Sequence, residues 1–421
     1  MSRLDVREAR ITPVAFPDPP LLNSSGVHEP WALRAIVEVD AGDGFAGLGE
    51  TYGDAAHLEL LRRAAAELPG SDVFDLNGLR AAAARAAGGV DSPDKHGLTG
   101  PSSTAKTLAR VVSAFETAFL DIQGQAVGRP VCDLLGGAVR ERVPFSAYLF
   151  YKWAAHPGAE PDEWGAALDP DGIVTQARRM IDRYGFASIK LKGGVFPPDV
   201  EIDAIRALRA EFPSHPLRLD PNCAWSVATS IDVAEKTAGL LEYLEDPTET
   251  TPGMAEVAAR ASMPLATNMC VIGFDDVAEA FASRAVGVVL ADHHYWGGLR
   301  ASAELAAICR TWGVGVSMHS NSHLGISLAA MTHLAAAVPN LTYAVDTHTP
   351  WQCGADVVDE PLTFVDGEVA VPRTPGLGVR IDRDALTRMH SDYLDCGIVE
   401  RDDTGYMRSI DPEYRAVRPR W

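Results

Sequence analysis

From residue 143 onward the chain repeats one pattern, a short β-like run followed by a helical stretch. The runs read "VPFSAYLFY", "ASIKLKG", "LRLDPN", "LEYLEDP", "MPLATNM", "VGVVLADHHYW", "VGVSMHS" and "LTYAVDTHTPW". Segments such as "DVEIDAIRALRAEFP" and "RASAELAAICRTWG" separate them. A strand that returns to its own sheet through a helix pairs in parallel. Eight such runs at this pitch predict a closed (β/α) barrel. An open Rossmann-like sheet is the alternative, but no G-x-G-x-x-G turn follows any of these eight runs.

The first third has another rhythm. Residues 5–16 and 31–51 read as strands, the second stretch folding back at Asp40-Ala41-Gly42-Asp43-Gly44, a hairpin signal. Between them "PDPPLLNSSGVHEP", residues 17–30, is rich in Pro, Ser and Asn and predicts an irregular surface loop. Helical patterns cover about 55–67, 75–88 and 104–127, the last ending before Gly128-Arg129-Pro130. The expected division is an α+β capping domain over 1–135, the barrel over 136–370, and a C-terminal segment over 371–421 that returns to the capping domain. That segment predicts a helix near 383–394, and "DDTGYM" reads as a plain turn.

The barrel runs end in polar residues: Lys190 and Lys192, Asp220 and Asn222, Glu245, Asn268, Asp292, His319, and Asp346 with His348. They fall 23 to 30 positions apart, about one βα unit. In a (β/α) barrel the C-terminal ends of all strands meet at one mouth, so residues remote in sequence become neighbours. Taken singly, each reads as a solvated charge, a turn or a helix cap. As a set at barrel spacing they predict an active site.

Their chemistry narrows the reaction. Lys190 and Lys192 sit two apart in a strand and face the same side, so they need an anion between them. Asp220, Glu245 and Asn268 offer hard oxygens on consecutive strands, which suits Mg2+ with its octahedral shell at about 2.0–2.1 Å. A substrate carboxylate shared by the metal and Lys190 is the expected anion. Both would stabilise the enediolate charge that forms when its α-proton leaves. Lys192 is placed to take that proton, and His319, oriented by Asp292, to serve the opposite face.

Several classes are excluded or disfavoured. A formal net charge of −20 argues against nucleic-acid or anionic-membrane surfaces, which need basic patches. No run of about 18 apolar residues predicts a membrane span, and the charged N-terminus "MSRLDVREARITPVAF" reads as no signal peptide. The six cysteines form no C-x-x-C pair, so reduced thiols and a cytoplasmic location are expected. His293 and His294 lack the H-x-H or H-E-x-x-H spacing of a zinc site. A Schiff-base role for Lys190 or Lys192 would leave three oxygen ligands idle.

At these residues the sequence resembles the enolase superfamily, and within it the glucarate dehydratase family, nearly end to end. "FASIKLKGGV", "LRLDPNCAWS", "LEYLEDP", "LATNM", "ADHHYW", "HSNSHLGISLAAMTHLAAAVPN", "AVDTHTPWQ" and "PGLGVRID" carry the likeness. The K-x-K pair with Asn as third ligand is more specific than the superfamily pattern, where that ligand is usually acidic. The resemblance implies a (β/α)7β-type TIM barrel with an N-terminal α+β capping domain. It implies Mg2+-dependent loss of water from D-glucarate, giving 5-dehydro-4-deoxy-D-glucarate. By it Lys192 and His319 are the acid/base pair, Lys190 contacts the carboxylate, and Asp220, Glu245 and Asn268 hold the metal. It also implies substrate contacts from Asn23 and His28 in the 17–30 loop, and from Thr107, Tyr148 and Asn222. Ser320, Asn321, His348 and Arg401 complete the implied set, with the 17–30 loop closing as a lid and sharing the distal carboxylate with Arg401.

The chain also departs from the family: "ADPHFW" is "ADHHYW", "SHSNNHFD" is "MHSNSHLG", and the stretch after "EDP" differs. No chemical residue is lost. Dehydratases of neighbouring hexarates such as L-idarate or galactarate, and a racemase of the mandelate racemase kind, remain alternatives. So does a non-catalytic paralogue that associates with a true dehydratase. The expected partner is a small dicarboxylate sugar acid, with a homo-oligomer as the assembly.

Overall fold

A computed structural model of the chain describes residues 4–90 and 103–421. Residues 1–3 and 91–102 of the expected capping segment lie outside the described residues. The chain begins with β1 (Glu8–Pro17), passes through a small ribbon of β2 (Leu22–Asn23) and β3 (Gly26–Val27), and continues into β4 (Trp31–Gly42) and β5 (Phe45–Tyr52). Strands β1, β4 and β5 form an antiparallel sheet in the order β1-β4-β5. The β4–β5 turn places Asp43 and Gly44 at φ 54° and 87°, the left-handed pair whose twist suits a tight hairpin. Helices α1 (Ala55–Ala66), α2 (Leu76–Ala87) and α3 (Thr104–Val127) cover one face of this sheet. Alternate residues of β4 face opposite ways: Val37 and Val39 join the core beneath these helices, while Ala32 and Ile36 join the barrel's core. The sheet is therefore packed on both sides.

After α4 (Val131–Leu134) and β6 (Arg142–Pro144) the barrel begins. Its strands are β7 (Ala147–Phe150), β8 (Ile189–Lys192), β9 (Leu217–Asp220), β10 (Tyr243–Glu245), β11 (Leu265–Thr267), β12 (Val288–Ala291) and β13 (Gly315–Met318). They are parallel and adjacent in chain order. The intervening helices are α5 (Pro170–Tyr184), α6 (Pro198–Glu211), α7 (Val227–Lys236), α8 (Thr251–Ala258), α9 (Phe274–Ala282), α10 (His293–Trp296), α11 (Leu299–Trp312) and α12 (Gly325–Ala337).

The eighth position, read as a strand in "LTYAVDTHTPW", holds no regular strand but still closes the ring. Thr342 N donates to Val316 O and Asp346 N to Met318 O at 2.9 and 3.0 Å on the β13 side. Val345 N donates to Pro144 O and Ser146 N to Val345 O, both 2.9 Å, on the β7 side. This is the (β/α)7β-type barrel with an N-terminal α+β cap. Helix α12 is buried on every side because β5 of the cap lies over it, which explains its lack of a polar face.

The tail adds β14 (Phe364–Val365), β15 (Glu368–Ala370), α13 (Arg383–Asp395) and α14 (Asp403–Ile410). Two expectations need correction. The 17–30 segment is partly regular, because the Asn23 side chain accepts from Ser25 N and Gly26 N at 2.7 and 3.1 Å and turns β2 back onto β3. "DDTGYM" is the first part of α14, whose N-cap Asp402 accepts from Gly405 N at 2.9 Å. All six cysteines are free. Among the described residues no helix is long and apolar enough to cross a membrane.

Candidate active site at the barrel mouth

In β8 the alternation of Ile189-Lys190-Leu191-Lys192 sends the apolar pair into the helix layer and both lysines inward. Two glycines follow because the chain turns without room for side chains. A Cβ on Gly193 would lie 2.4 Å from Glu201 Oε2, and one on Gly194, at φ +75°, 2.2 Å from the Pro221 carbonyl oxygen. Lys192 Nζ donates to Asp220 Oδ2 at 2.7 Å and to Asn222 Oδ1 at 2.8 Å. Lys190 Nζ donates to Glu245 Oε1 and Asp346 Oδ2, both at 2.7 Å, and lies 4.6 Å from the Tyr148 ring centroid. Burial opposes the charge on Lys190, but Asp346 and Glu245 outweigh it and hold the proton well above the usual lysine range. The chain's own carboxylates thus answer the lysine pair first.

Asp220, Glu245 and Asn268 are buried side by side at the ends of β9, β10 and just past β11. Burial would raise Asp220, yet Lys192 and Lys190 draw it well below the carboxylate range; burial next to Asp220 pushes Glu245 well above it. Glu245 Oε2 and Asn268 Oδ1 are buried without a hydrogen-bond partner among the described residues. Each such orphan costs about 1–3 kcal/mol unless something binds it. Oxygen donors of this kind, two of them idle at or just behind the cavity wall, fit a hard divalent cation. Asn268 is held from behind: Asp246 accepts from Thr267 Oγ1 at 2.6 Å and from Asn268 N at 2.9 Å. Asp246, Asn222 and Cys223 have φ of 37°, 54° and 60°, conformations that non-glycine residues rarely adopt and that cluster at functional sites.

From β13 comes His319, whose Nδ1 lies 3.0 Å from Asp292 Oδ2. The other oxygen, Asp292 Oδ1, accepts from His294 N at 2.9 Å and faces His294 Nδ1 at 2.7 Å. Burial alone would raise Asp292, but His294 and His319 hold it well below its usual range. His319 lines the cavity, with Nε2 the ring nitrogen left for a substrate. Neighbouring histidines stay neutral: burial pushes His348 well below the usual range and His323 down to about 4. Asp292, His293 and His294 lie close enough to suggest a metal triad. His294 spends both ring nitrogens on Asp292, Ser327 and Arg34, so no ligand set is left there.

The cavity encloses about 340 Å³ between the barrel mouth, the β2–β3 ribbon and the start of α14. The ribbon is tied down by Asn222 Nδ2 donating to Ser24 Oγ at 3.1 Å, and by Arg418 Nη2 donating to Ser24 Oγ and Ser25 Oγ at 3.1 and 3.0 Å. Arg401 grips Asp403 through Nε and Nη2 at 3.0 and 2.8 Å, and Asn23 Nδ2 donates to the same carboxylate at 3.0 Å. Burial opposes the charges of this pair, but Arg401 draws Asp403 down to about 2 and Asp403 keeps Arg401 protonated.

Most of the expected site residues meet here. Asn23, His28, Tyr148, Lys192, Asn222 and Asn268 line the cavity, and so do His319, Ser320, Asn321, His348 and Arg401. Lys190, Asp220, Glu245 and Asp292 lie just behind its wall, each joined to a lining residue or to its neighbour by the bonds above. Thr107, buried in the first turn of α3, is not brought to the cavity. Sequence reasoning missed Ser25, Phe150, Asp402, Asp403 and Thr404 in the lining and Asp246 as a support, and it grouped Asp346 with the rim residues without giving it a role. Asp346 carried a usable signal, since it ends the eighth run.

Known proteins match nearly the whole chain. The family description "Mandelate racemase / muconate lactonizing enzyme, N-terminal domain" matches residues 7–136, and "Enolase C-terminal domain-like" matches residues 172–385. A probable glucarate dehydratase of Streptomyces coelicolor is 56% identical over 99% of both chains. The crystal structure of an enolase from Thermobispora bispora, complexed with magnesium and formate, superposes with a TM-score of 0.98 at 62% identity, covering 99% of this chain and 100% of that one. An enolase from Mycobacterium smegmatis complexed with tartrate gives a TM-score of 0.96 at 64% identity, covering 100% of this chain and 99% of that one.

Proposed function

The chain belongs to the enolase superfamily, as a member of its mandelate racemase / muconate lactonizing enzyme family, and from that premise we propose a magnesium-dependent acid-sugar dehydratase acting on D-glucarate. One observation carries the reading. Lys192 and His319 open into the same cavity as Asn268, whose Oδ1 is orphaned, and Glu245, its Oε2 orphaned too, ends the neighbouring strand just behind that wall.

Asp220, Glu245 and Asn268 would hold Mg2+, which when bound offsets negative charge developing on a substrate carboxylate. Lys192 is aimed by Asp220 and Asn222 and is set to exchange a proton with the carbon next to that carboxylate. His319 stands three positions away around the rim, counted through β7 and the 341–346 segment, and so approaches from another side. Backed by Asp292, it can give a proton to the leaving hydroxyl, which departs as water while the enol that remains becomes a 2-keto acid. The product is 5-dehydro-4-deoxy-D-glucarate. At the far end, Arg401 held charged by Asp403, with Asn23 and His28, suits a second carboxylate and its neighbouring hydroxyls. The tartrate held by the Mycobacterium smegmatis relative, also a hydroxylated dicarboxylate, supports this class.

Proton exchange from two sides also favours a second reading, epimerisation at the α-carbon. Incubation with D-glucarate in D2O and Mg2+ separates the two: keto acid supports dehydration, and deuterated starting acid without keto product supports epimerisation. Lys192→Ala and Asp220→Ala should each abolish keto-acid formation in a folded protein. A purified chain that binds no Mg2+ and converts no hexarate would return the non-catalytic paralogue.

A further inference from the structure

Behind His319 a line of contacts runs out of the barrel into the cap. Arg34 on β4 and Glu50 on β5 are charged yet only 1% and 2% exposed. Arg34 Nε donates to Glu50 Oε1 at 2.8 Å, and the Glu50 carboxylate also accepts from Leu324 N and Ser327 N, both 2.8 Å, where α12 begins. Arg34 Nη2 turns towards His294 Nε2 at 3.0 Å and donates to Ser327 Oγ at 3.3 Å. A guanidinium has donors only, so a ring nitrogen facing it must accept. His294 Nε2 therefore carries the lone pair. Its single proton is on Nδ1, donated to Asp292 Oδ1, and Ser327 Oγ, 2.9 Å from Nε2, can donate to the same lone pair.

We propose that Arg34 and His294 are positioning residues for His319: Arg34 fixes His294 as the uncharged Nδ1–H tautomer, leaving the charge of Asp292 to His319 and clamping the pair from the capping domain. The proposal rests on His319 being an acid/base group of the reaction.

The surroundings make the tautomer matter. Arg34 and Glu50 cancel, and His293, its ring centroid 3.9 Å from that of His294, is kept neutral by burial. Tyr52 lies against the His294 ring and Tyr295 near that of His319, while His323 and His348 are neutral as described. Asp292 is then the uncompensated charge that His319 meets. A second proton on His294 would place a cation 2.7 Å from Asp292, competing with His319 for the same carboxylate.

The test begins with the wild-type protein labelled at histidine nitrogen. The His294 signals, assigned by their loss in His294→Asn, should show Nδ1–H and a bare Nε2 that does not titrate between about pH 6 and 8. In Arg34→Met, His294 should titrate in that range, and the alkaline limb of the pH profile of kcat/KM, where the proton His319 gives is lost, should move down by roughly one unit. His294→Asn places an amide nitrogen where Nδ1 was and cannot be protonated, so its limb should stay at the wild-type position whatever its rate. A wild-type His294 that titrates, or that carries its proton on Nε2, overturns the proposal, and so does a titrating His294 in Arg34→Met with an unmoved limb. Should Arg34→Met fail to fold, the wild-type spectrum and the His294→Asn limb still decide. If no hexarate is dehydrated while the tautomer holds, the reaction falls, and with it the link to His319.

Discussion

Replacing Lys190 by methionine removes one charge from a buried cluster while keeping much of the aliphatic stem. Lys190, Lys192 and Arg218 there face Asp220, Glu242, Glu245, Asp246 and Asp346, formally two negative charges in excess. The 2.7 Å contact of Lys190 with Asp346 is a gross attraction of about 6 kcal/mol at an effective dielectric constant of about 20. Desolvation offsets most of it, and breaking buried pairs costs about 3–5 kcal/mol. The metal-free variant should therefore unfold at a lower urea midpoint, by a free energy in that range. With Mg2+ the ordering changes. The variant presents Asp220 and Glu245 with one competing cation fewer, so Mg2+ should bind at least about tenfold tighter, about 1.4 kcal/mol. Its stabilisation of the fold should exceed that of the wild type by the same amount once Mg2+ is well above both dissociation constants. Urea unfolding followed by circular dichroism in chelator and in graded Mg2+, with calorimetric titration of both proteins, measures each quantity. A folded Lys190→Met protein whose Mg2+ affinity is unchanged or lost would show that the cation is not held by the carboxylates that Lys190 bridges.

Glu116→Gln tests how the cap docks, because Glu116 on α3 accepts from Leu299 N and Arg300 N at 2.9 and 3.1 Å and so caps α11 of the barrel. Burial pushes Glu116 from 4.5 up to about 7 against those bonds. Its stabilising effect is then complete below about pH 4.5, is lost as pH rises through about 7, and amounts to about 3 kcal/mol. The urea midpoint of Glu116→Gln should fall less over that window than that of the wild type, and identical slopes would place the ionisation elsewhere. Arg418→Ala removes the two bonds that tie Ser24 and Ser25 of the ribbon to the tail. Losing about 1 kcal/mol there should raise KM for a hexarate roughly fivefold with a smaller change in kcat. An unchanged KM would show that the ribbon closes without the tail.

The barrel and its rim were legible because the βα period fixes both where strands end and where those ends point. A polar residue at the end of a run is then a statement about place as well as type, which is how Asp220, Glu245, Asn268 and His319 could be grouped before any coordinates. Helix α14 was not legible. Its residues Asp403–Ile410 show no sustained apolar period and include Gly405, and it stands through docking: Thr404 Oγ1 donates to Ser25 O at 2.7 Å and Asp403 binds Arg401 and Asn23. The β2–β3 ribbon was hidden for a related reason. Its turn is made by one side chain, Asn23, and composition alone cannot separate such a turn from a loop.

Arg34 and Glu50 were illegible for a deeper reason. Arg34, Ile36, Glu38 and Asp40 alternate along one face of β4, which in a sequence looks like a solvated edge interrupted by one isoleucine. In the fold, burial changes along that single face: Arg34 and Ile36 lie under the barrel, Glu38 is half-buried, and Asp40 is exposed. Periodicity reports which face a residue occupies, never how far along that face a second domain extends. Only docking against α10 and α12 turns Arg34 from a surface charge into a buried donor that must find Glu50 and His294. Once buried, neither charge can be lost without stranding the other, so the cap cannot slide on the barrel without disturbing the carboxylate behind His319. That geometry makes the capping domain part of the ionic structure of the site as well as its cover.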